Sequence, residues 1–322
     1  MLCRTANELY WMARHIERAE NTARLLDVTY RMSLLPYDAV EPGLAWAEPW
    51  AVPLITSGLA TAFYERFPQL SAESVLRYMI LDARNSSSIF CCLRAARESA
   101  RAVRGAITSE MYEDLNSAWL EMRGQNYDKI QTSGVSEFLG WVKMRSHLFR
   151  GVTFGTMLRD EGYHFIRLGT HIERGDNTAR ILDVKYHTLL PSAAEVGGAV
   201  DYYQWGALLR SVSGFESYRK IYSDVITPRR VAELLILRQD MPRSLHSCMN
   251  FINETLAVLC DDSSTEIRRA SGELHAKLRF ARTDDIIRFG LHEYLMEFLD
   301  RISDLGDEIS SHFLVPTFQD RA

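Results

Sequence analysis

A segment of 16 residues occurs twice in the chain, and this repeat restricts the possible folds more than any other feature. Residues 15–30 and 171–186 are identical at 12 of 16 positions, at an offset of 156 residues, the distance from Glu17 to Glu173. Each copy contains Glu-Arg-x-x-Asn-Thr-Ala-Arg. A long-period repeat indicates one supersecondary unit in tandem copies. We therefore predict two units, residues 1–158 and residues 159–322.

Apolar residues in both copies recur at the spacing of an amphipathic helix. In the first copy, Leu9, Met12, Ile16 and Ala19 lie three or four residues apart, so they form one apolar face. No segment alternates apolar and polar residues as a half-buried strand does. We predict an all-α helical bundle built from two tandem repeats of one multi-helix unit. The predicted helices cover residues 4–34, 86–106, 135–158, 163–190, 242–260 and 284–313, the second and fifth starting at Asn85-Ser86 and at Asp240 to Pro242.

Composition and charge exclude several classes of partner. The net charge is −5 with acidic and basic residues interleaved, so there is no basic patch for a nucleic acid. The chain has no run of about 18 apolar residues to span a membrane, and its N-terminus lacks the apolar region of a secretion signal. Five cysteines without a CxxC pair indicate reduced thiols rather than a zinc site. We expect a cytoplasmic protein without a cofactor, a nucleic-acid partner or a membrane.

No known catalytic motif is present in the sequence. The GxSxG, HExxH, P-loop and GxGxxG patterns are absent, so the corresponding hydrolase, zinc-peptidase and nucleotide-binding functions lack support. Glu161 and His164 have the Glu-x-x-His spacing of helical di-metal sites, but the equivalent pair in the first copy is Thr5 and Glu8. We interpret this spacing as chance and predict no metal. Whether the chain is an enzyme stays open, and a non-catalytic role is favoured for the chain on its own.

The repeated motif places several polar side chains on one side of its helix. With a rotation of about 100° per residue, Glu17, Asn21 and Arg24 form one polar stripe, whereas Arg18 lies on a separate flank. Glu17 is therefore expected to contact Arg24 or a neighbouring helix. The repeated histidine at position 15 lies toward the apolar side and is predicted, with its copy at 171, to be a hydrogen-bonded core or interface residue rather than a base.

Three interpretations of the motif are open. A buried network of arginine forks and carboxylates resists substitution, because removal of one member leaves its partner charged and unpaired. A ligand site shared by both copies is equally sensitive to change. As plain i,i+4 pairs on the helix surface, Glu20–Arg24 and Asp176–Arg180 would contribute only about 0.2–0.5 kcal/mol each, too little to explain the repeat. The candidate residues for a binding site or structural network are Glu17, Arg18, Asn21, Arg24, Asp27, Glu173, Arg174, Asn177, Arg180 and Asp183.

The residues around the motif resemble those of a known family. Tyr10-Trp11-Met12-Ala13-Arg14, followed by residues 16–26 and by the second copy at 172–182, is similar to the bacterial Alpha-E family. The resemblance implies an all-helical domain, usually in tandem duplication, whose signature pairs here are Glu17-Arg18 and Glu173-Arg174. Members tend to be encoded beside ATP-grasp-type ligases and transglutaminase-like proteins. This implies such partners, and a role in peptide synthesis or peptide modification.

From this resemblance we expect a helical accessory or binding module that docks an ATP-grasp-type ligase or binds its peptide substrate. The alternative is an enzyme with a polar pocket shared by the repeats, acting on a carboxylate- or phosphate-bearing peptide. In that alternative Glu17 and Glu173 act as acid and base, and the motif arginines at 18, 24, 174 and 180 hold the substrate. One cavity lined by both motif helices would favour this enzyme alternative, and motifs sealed in separate dry contacts would exclude it.

Overall fold

The described part of the chain is built from helices. A computed structural model describes residues 1–34, 49–188 and 199–315, and every regular element within these ranges is a helix. The all-α class predicted from apolar spacing is therefore confirmed for the described part of the chain. None of its helices is long and apolar enough to cross a membrane.

Eight α-helices precede residue 157. The first corresponds closely to the predicted segment 4–34, and the eighth to the predicted segment 135–158. One π-helical turn, Arg77–Leu81, continues directly from the fourth helix. The helices are α1 Cys3–Ser33, α2 Ala51–Thr56, α3 Ala60–Tyr64, α4 Ala72–Leu76, α5 Ile89–Ala102, α6 Ser109–Arg123, α7 Tyr127–Ser133 and α8 Val135–Thr156.

Eight further α-helices and one short 3₁₀ helix, Asp262–Ser264, follow in the remainder of the described chain. The second motif lies on α9, which confirms the helix predicted over 163–190 as far as residue 188; residues 189 and 190 lie outside the described ranges. Two π-helical turns, Glu233–Leu237 and Ser310–Leu314, continue α12 and α16. The helices are α9 Glu161–Thr188, α10 Ala199–Ser211, α11 Phe215–Tyr222, α12 Pro228–Ala232, α13 Leu245–Leu259, α14 Thr265–Phe280, α15 Thr283–Phe289 and α16 Leu291–Ile309.

The single helix predicted over 284–313 is wrong in one respect, because the chain breaks at Gly290. This glycine has φ +112° and separates α15 from α16, and Gly134, with φ +102°, separates α7 from α8 in the same way. Residues with a side chain rarely adopt such angles. The prediction failed because apolar spacing continues across the break while the backbone turns.

The predicted starts of the helices over 86–106 and 242–260 are also wrong by about one turn. α5 begins after Ser88, whose Oγ accepts a hydrogen bond from the Cys91 amide (3.1 Å). α13 begins after Ser244, whose Oγ accepts from the Ser247 amide (3.0 Å). A serine at this position supplies the acceptor that the first turn of a helix lacks. Asn85 instead donates from Nδ2 to the Tyr78 carbonyl oxygen.

α1 and α9, which carry the two motifs, pack side by side. α1 also contacts α5 and α8, while α9 contacts α13 and α16. Leu9, Met12 and Leu26 of α1 are fully buried, and so are the polar residues Glu17 and Glu20. The polar stripe of α1 therefore faces other helices rather than solvent. Charged side chains in such a position need partners, because an unpaired buried charge is strongly unfavourable.

Gly169 allows the two central helices to approach closely. A Cβ atom at this position of α9 would lie 2.3 Å from the carbonyl oxygen of Tyr10 in α1, well inside van der Waals contact. Any residue larger than glycine would therefore push the helices apart. This close approach brings the motif side chains, one to two turns further along each helix, within reach of the opposite helix.

Candidate functional site

Two reciprocal ion pairs join α1 to α9. Arg174 donates from Nε to Glu17 Oε1 (2.9 Å) and from Nη2 to Glu17 Oε2 (2.8 Å). In the opposite direction, Arg18 donates from Nε to Glu173 Oε1 (2.5 Å) and from Nη2 to Glu173 Oε2 (2.9 Å). Both pairs are bidentate, the geometry in which a planar guanidinium matches a carboxylate best. The Glu-Arg pair of each motif helix thus binds the Glu-Arg pair of the other.

This arrangement decides between the two contacts expected for Glu17 and gives Arg18 a partner. The contact of Glu17 is with the neighbouring helix α9 and not with Arg24, which instead pairs with Glu20 at 2.7 Å. Arg18, which the angular argument places on a separate flank of α1, reaches the same helix as Glu17. The angular argument describes α1 alone, so it could not show which helix the two side chains would meet.

A compact charged cluster surrounds Glu17, and we call it the Glu17 site: Glu17, Glu20, Asn21, Arg150 and Arg243. Arg243 donates from Nη1 to Glu17 (3.0 Å) and Asn21 (2.9 Å), and from Nη2 to Glu20 (2.6 Å). Arg150 donates from Nη1 to Glu17 (3.0 Å) and to Glu20 (2.5 Å). The acceptors come from α1, while the two arginines come from α8 and from the residues just before α13.

The two carboxylates of the Glu17 site are buried and ionised. Glu17 is 1% exposed and Arg243 is 6% exposed. Burial alone would raise the pKa of Glu17, but the positive charges of Arg174 and Arg243 outweigh it and lower the pKa to about 2. Burial likewise opposes ionisation of Glu20, while a hydrogen bond with His147 and the charge of Arg243 hold its pKa well below its usual range. This part of the motif is a buried ion network, the first of the three interpretations.

Arg150 and Arg243 are members of the network that the sequence did not indicate. They lie 133 and 226 residues from Glu17 along the chain, and they fall outside the repeated motif. At the 156-residue offset, Gly306 corresponds to Arg150 and Ser87 corresponds to Arg243. Because neither arginine recurs in the other half, the repeat carried no signal for them.

The second motif has a different environment, which we call the Glu173 site: Glu173, Asp176, Asn177, Arg14, Arg18 and Arg180. In addition to Arg18, Arg14 donates from Nε to Glu173 Oε2 (2.9 Å). Arg180 pairs with Asp176 through two hydrogen bonds of 2.8 and 3.0 Å, which confirms the predicted i,i+4 pair. Burial opposes ionisation of Glu173, but the charges of Arg18 and Arg14 lower its pKa.

A cavity of about 390 Å³ lies beside the Glu173 site. Both motif helices contribute to its wall, together with α16, the end of α2 and the turn before α5. Among the lining residues, Arg14, Arg18 and Arg180 are cationic, and Glu173, Asp176 and Asp307 are anionic. Asn21, Thr22, Thr56, Ser57, Ser87, Asn177, Ser303 and Ser310 add neutral polar groups, and the rest of the wall is Tyr10, Trp11, Ile172, Ile302 and Gly306.

Two buried polar atoms of the cavity wall have no partner among the described residues. They are Nδ2 of Asn21, a residue 4% exposed, and Oγ1 of Thr56, a residue 3% exposed. The Asn21 amide is oriented by Arg243, which donates to its Oδ1, so Nδ2 must be the free donor. Buried polar groups of folded proteins are normally paired. Two unpaired groups in one wall are therefore a feature that a bound polar ligand would explain.

The remaining candidate residues lie away from the cavity. Arg24 donates to Ser213 (2.5 Å) as well as to Glu20. Asp27 accepts from Lys143 (2.8 Å) and Arg31 (3.0 Å), and Asp183 lies 2.6 Å from His292 Nδ1. These aspartates connect the motif helices to α8 and α16. The motif residues nearest the Glu-Arg pairs therefore lie close together, whereas Asp27 and Asp183 make separate contacts with α8 and α16.

The repeated histidines and cysteines are packed inside the fold. His171 stacks on Phe251 with ring centroids 4.3 Å apart, and His15 lies 5.7 Å from Trp11. Burial lowers the pKa of His15 to about 4 and also lowers that of His171. His171 is buried and His15 is half-buried, and the Nδ1 atom of each has no hydrogen-bond partner in the described chain. The equivalent thiols Cys92 and Cys248 are buried, and burial raises the pKa of each to about 12. Neither thiol can ionise near neutral pH.

The Glu161/His164 spacing does not assemble a metal site in the described chain. Glu161 is 59% exposed and pairs with the N-terminal amino group at 2.6 Å. Within residues 1–34, 49–188 and 199–315, no three His, Cys, Asp or Glu side chains lie close enough together to hold an ion.

A family model described as a predicted alpha-helical domain with a conserved ER motif matches residues 1–314. The chain belongs to the Alpha-E family. The reciprocal pairs Glu17–Arg174 and Glu173–Arg18 are therefore contacts between two Glu-Arg motifs of an Alpha-E protein. This confirms the resemblance drawn from the sequence.

Three curated proteins are similar to this Alpha-E chain over nearly its whole length. They are uncharacterised proteins, one from Mycobacterium bovis and two from strains of Mycobacterium tuberculosis, each 24% identical over 336 aligned residues. The alignments cover 96% of the chain but 36% of each relative, so the chain spans about a third of their length. No solved structure matches the chain.

Proposed function

We propose that this Alpha-E chain is an accessory binding module whose cavity beside the Glu173 site holds a polar group of a peptide. One observation carries the proposal: a single cavity is lined by both Glu-Arg helices, through Arg18 and Asn21 of α1 and through Glu173 and Asn177 of α9. Ligand sites commonly have volumes of about 300–1,000 Å³ and a few convergent polar groups. The cavity, at about 390 Å³, meets both criteria.

The balance of charges in the wall suits a peptide better than a simple anion or cation. Three arginines and three carboxylates line the cavity, so neither an anion nor a cation alone can pair with all the charged groups of the wall. A peptide segment supplies carbonyl acceptors and amide donors together. The free Asn21 amide donor and the free Thr56 hydroxyl are groups that can pair with a peptide backbone.

Binding is supported over catalysis by the acid–base properties of the motif. A general acid or base works best with a pKa near the operating pH. Arg18 and Arg14 instead keep the Glu173 carboxylate ionised by lowering its pKa against the effect of burial. Burial alone would raise the pKa of Glu17, but the charges of Arg174 and Arg243 lower it to about 2. Glu17 is also sealed away from the cavity, so the two glutamates are poorly placed to act as an acid and a base.

The proposed partners are an ATP-grasp-type ligase and a transglutaminase-like protein, with a peptide passing between them. Support comes from membership of the Alpha-E family, whose members tend to be encoded beside such proteins. An accessory module would hold the peptide while a partner modifies it. We place this role in the cytoplasm, where a ligase has access to ATP.

We also propose that the chain is a tandem duplication, with units at 1–158 and 159–322. The element bounds support this. α4, the π turn at 77–81 and α7 recur with the same lengths 156 residues later as α12, the π turn at 233–237 and α15. The glycines between the paired helices, Gly134 and Gly290, are also 156 residues apart and both have positive φ.

The binding proposal can be tested with the neighbouring ligase and its peptide. We expect the chain to co-purify with the ligase and to lower the ligase's KM for the peptide. Arg180→Ala should remove most of this effect, because Arg180 lines the cavity. Arg77→Ala is a matched control, since Arg77 and Arg180 are both 44% exposed and each pairs with an acidic residue four positions earlier.

Two results would contradict the proposal. The first is a chain that neither binds the ligase nor changes its rate. The second is an Arg180→Ala variant that supports the ligase as well as Arg77→Ala does, because the cavity would then have no part in the effect.

A further inference from the structure

The Glu17 site and the Glu173 site contain equivalent acceptors. At the 156-residue offset, both sites present two carboxylates and one carboxamide from a motif helix. The equivalent acceptors are Glu17 and Glu173, Glu20 and Asp176, and Asn21 and Asn177. A difference between the sites must therefore come from the groups that face these acceptors.

The two arginines that fill the Glu17 site are replaced by small residues in the Glu173 site. Gly306 stands at the position equivalent to Arg150, and Ser87 stands at the position equivalent to Arg243. Both small residues line the cavity. The cavity therefore lies where two guanidinium groups would lie if the second site repeated the first.

The carboxylates of the Glu173 site have fewer arginine partners than the equivalent carboxylates of the Glu17 site. Arg14 supplies Glu173 with a second arginine, but Asp176 has only Arg180 among the described residues. The equivalent Glu20 has three arginines, Arg24, Arg150 and Arg243. Asp176 is 25% exposed at the side chain, so its carboxylate can be reached from the cavity.

The α1 side of the cavity contributes a residue with an unpaired hydrogen-bond donor, Asn21. Asn21 lines the cavity; its Oδ1 accepts from Arg243, and its buried Nδ2 has no partner in the described chain. A ligand that binds Asp176 through a cationic group could therefore also accept a hydrogen bond from Asn21 through a carbonyl or carboxylate oxygen. An arginine residue of a peptide has both groups, a guanidinium and a carbonyl.

We propose that the cavity beside the Glu173 site binds the guanidinium group of an arginine, in the place that Arg150 and Arg243 occupy in the Glu17 site. The proposal rests on the binding function proposed above and names its ligand. The guanidinium donates to Asp176 and to Asn177 Oδ1, as Arg243 donates to Glu20 and Asn21. Asn21 Nδ2 donates to an oxygen of the same arginine. The source is either free arginine or an arginine within a peptide.

Titration calorimetry on the full chain tests the ligand class. The probes are L-arginine, the tripeptide Gly-Arg-Gly and L-citrulline, which has the shape of arginine with an uncharged urea group. We expect at least one arginine probe to bind, and L-citrulline to bind at least tenfold more weakly. Tighter binding of Gly-Arg-Gly identifies a peptide as the source, and tighter binding of L-arginine identifies the free amino acid.

Gly306→Arg tests the location, because it places the arginine of the Glu17 site into the Glu173 site. A Cβ at Gly306 meets no atom within 4 Å, so the new side chain can enter the cavity. We expect this variant to bind arginine probes at least tenfold more weakly than the unmodified chain. Gly151→Arg is the matched control, because Gly151 is an exposed helical glycine of α8 with the same free space. Ser87→Arg, equivalent to Arg243, provides a second blocking variant should Gly306→Arg fail to fold.

Three results would overturn the inference: equal binding of L-citrulline and L-arginine, unchanged arginine binding in the correctly folded blocking variant, or no binding of either arginine probe. The proposed function is judged separately. If the ligase's own peptide contains no arginine yet binds, and Gly306→Arg blocks it, the cavity is a binding site and only the guanidinium assignment fails. If no probe or peptide binds and the ligase is unaffected, both proposals fail.

Discussion

The Glu17 site and the Glu173 site are built from the same repeated motif, yet one is closed and the other is open. In the first, Arg150 and Arg243 cover the carboxylates, and Glu17 is 1% exposed. In the second, the equivalent positions hold Gly306 and Ser87, and a cavity of about 390 Å³ remains. The motif itself therefore does not decide whether a site is structural or accessible. Residues on other helices decide it.

This comparison also separates two of the interpretations left open by the sequence. The Glu17 site fits a buried ion network, since every carboxylate oxygen of Glu17 accepts from an arginine. The Glu173 site has the form of a shared pocket, because residues from both motif helices line one cavity. A single motif can serve both purposes when only one copy is filled by neighbouring side chains.

The largest expected difference between the sites is in stability. Glu17→Ala leaves Arg174, Arg150 and Arg243 close together without their shared carboxylate. We expect a loss of about 3–5 kcal/mol in the free energy of unfolding, as for other broken buried pairs. Glu173→Ala leaves Arg14 and Arg18, which line the cavity, so water can replace part of the lost contact and we expect a loss of about 1–2 kcal/mol. Urea unfolding measures both, and equal losses would contradict the distinction.

Arg243→Ser opens the Glu17 site by giving it the residue of the Glu173 site. We expect a loss of about 3 kcal/mol in the free energy of unfolding, because Glu17 keeps Arg174 while Glu20 and Asn21 lose a donor. Low-millimolar guanidinium chloride should then raise the melting temperature of this variant and not that of the unmodified chain. Arg238→Ser is the control, since Arg238 pairs with the exposed Asp240. A melting temperature equal to that of the control would show that Arg243 is not a needed partner.

Gly169→Ala tests the close approach that both sites depend on. Its Cβ would lie 2.3 Å from the Tyr10 carbonyl oxygen, so α1 and α9 must separate, and we expect a loss of about 2 kcal/mol, typical of overpacking. Gly151→Ala, with no atom within 4 Å of its Cβ, should instead stabilise by up to about 1 kcal/mol through helix propensity. Thermal unfolding distinguishes these signs. A Gly169→Ala variant as stable as Gly151→Ala would mean that the helices do not pack this closely.

The repeated histidines are expected to change the free energy of unfolding gradually with pH, by a small amount for each pH unit. The pKa of His15 falls from an ordinary value of 6.5 to about 4 because of burial and the charge of Arg18. The unfolded chain therefore binds more protons than the folded chain between these values, so stability is complete above about pH 6.5 and falls as the pH falls toward 4. The slope is at most about 1.4 kcal/mol per pH unit for one histidine.

His171 titrates in the same direction, since burial, with Arg174 as the nearest charge, lowers its pKa. The other charged groups that face it are Glu17, Arg167 and Arg150, and those facing His15 are Arg18, Glu173 and Arg14. His15→Gln and His171→Gln should each flatten the acid side of a stability–pH curve, the second more strongly because His171 is more deeply buried. Curves identical to that of the unmodified chain would contradict the assignment of buried neutral imidazoles.

Much of the local structure could be predicted from the sequence. Apolar spacing located α1, α8 and α9 to within a few residues, because the core side of a helix imposes its period on the chain. The starts of α5 and α13 were missed because several residues near each start can cap a helix, and only packing selects Ser88 and Ser244. The break at Gly290 was missed because a residue with positive φ does not change the spacing of the apolar residues along the sequence.

The candidate site was predictable only in part. The repeat identified the acceptors, Glu17 and Glu173 among them, since both copies present them from one helix. The sequence could not show which cation meets which carboxylate, because ion pairing is decided by distances between helices that are far apart in the chain.

The sequence by itself therefore determined the class of fold, the offset of 156 residues and the helix that carries the charged motif, because these depend on local periodicity and identity. The tertiary structure alone decided that Glu17 pairs with Arg174 and Arg18 with Glu173, and that Arg150 and Arg243 close one site while Gly306 and Ser87 leave the other open. The physical reason is that a buried charge is stabilised by whichever partner the packing of distant helices brings within a few ångströms.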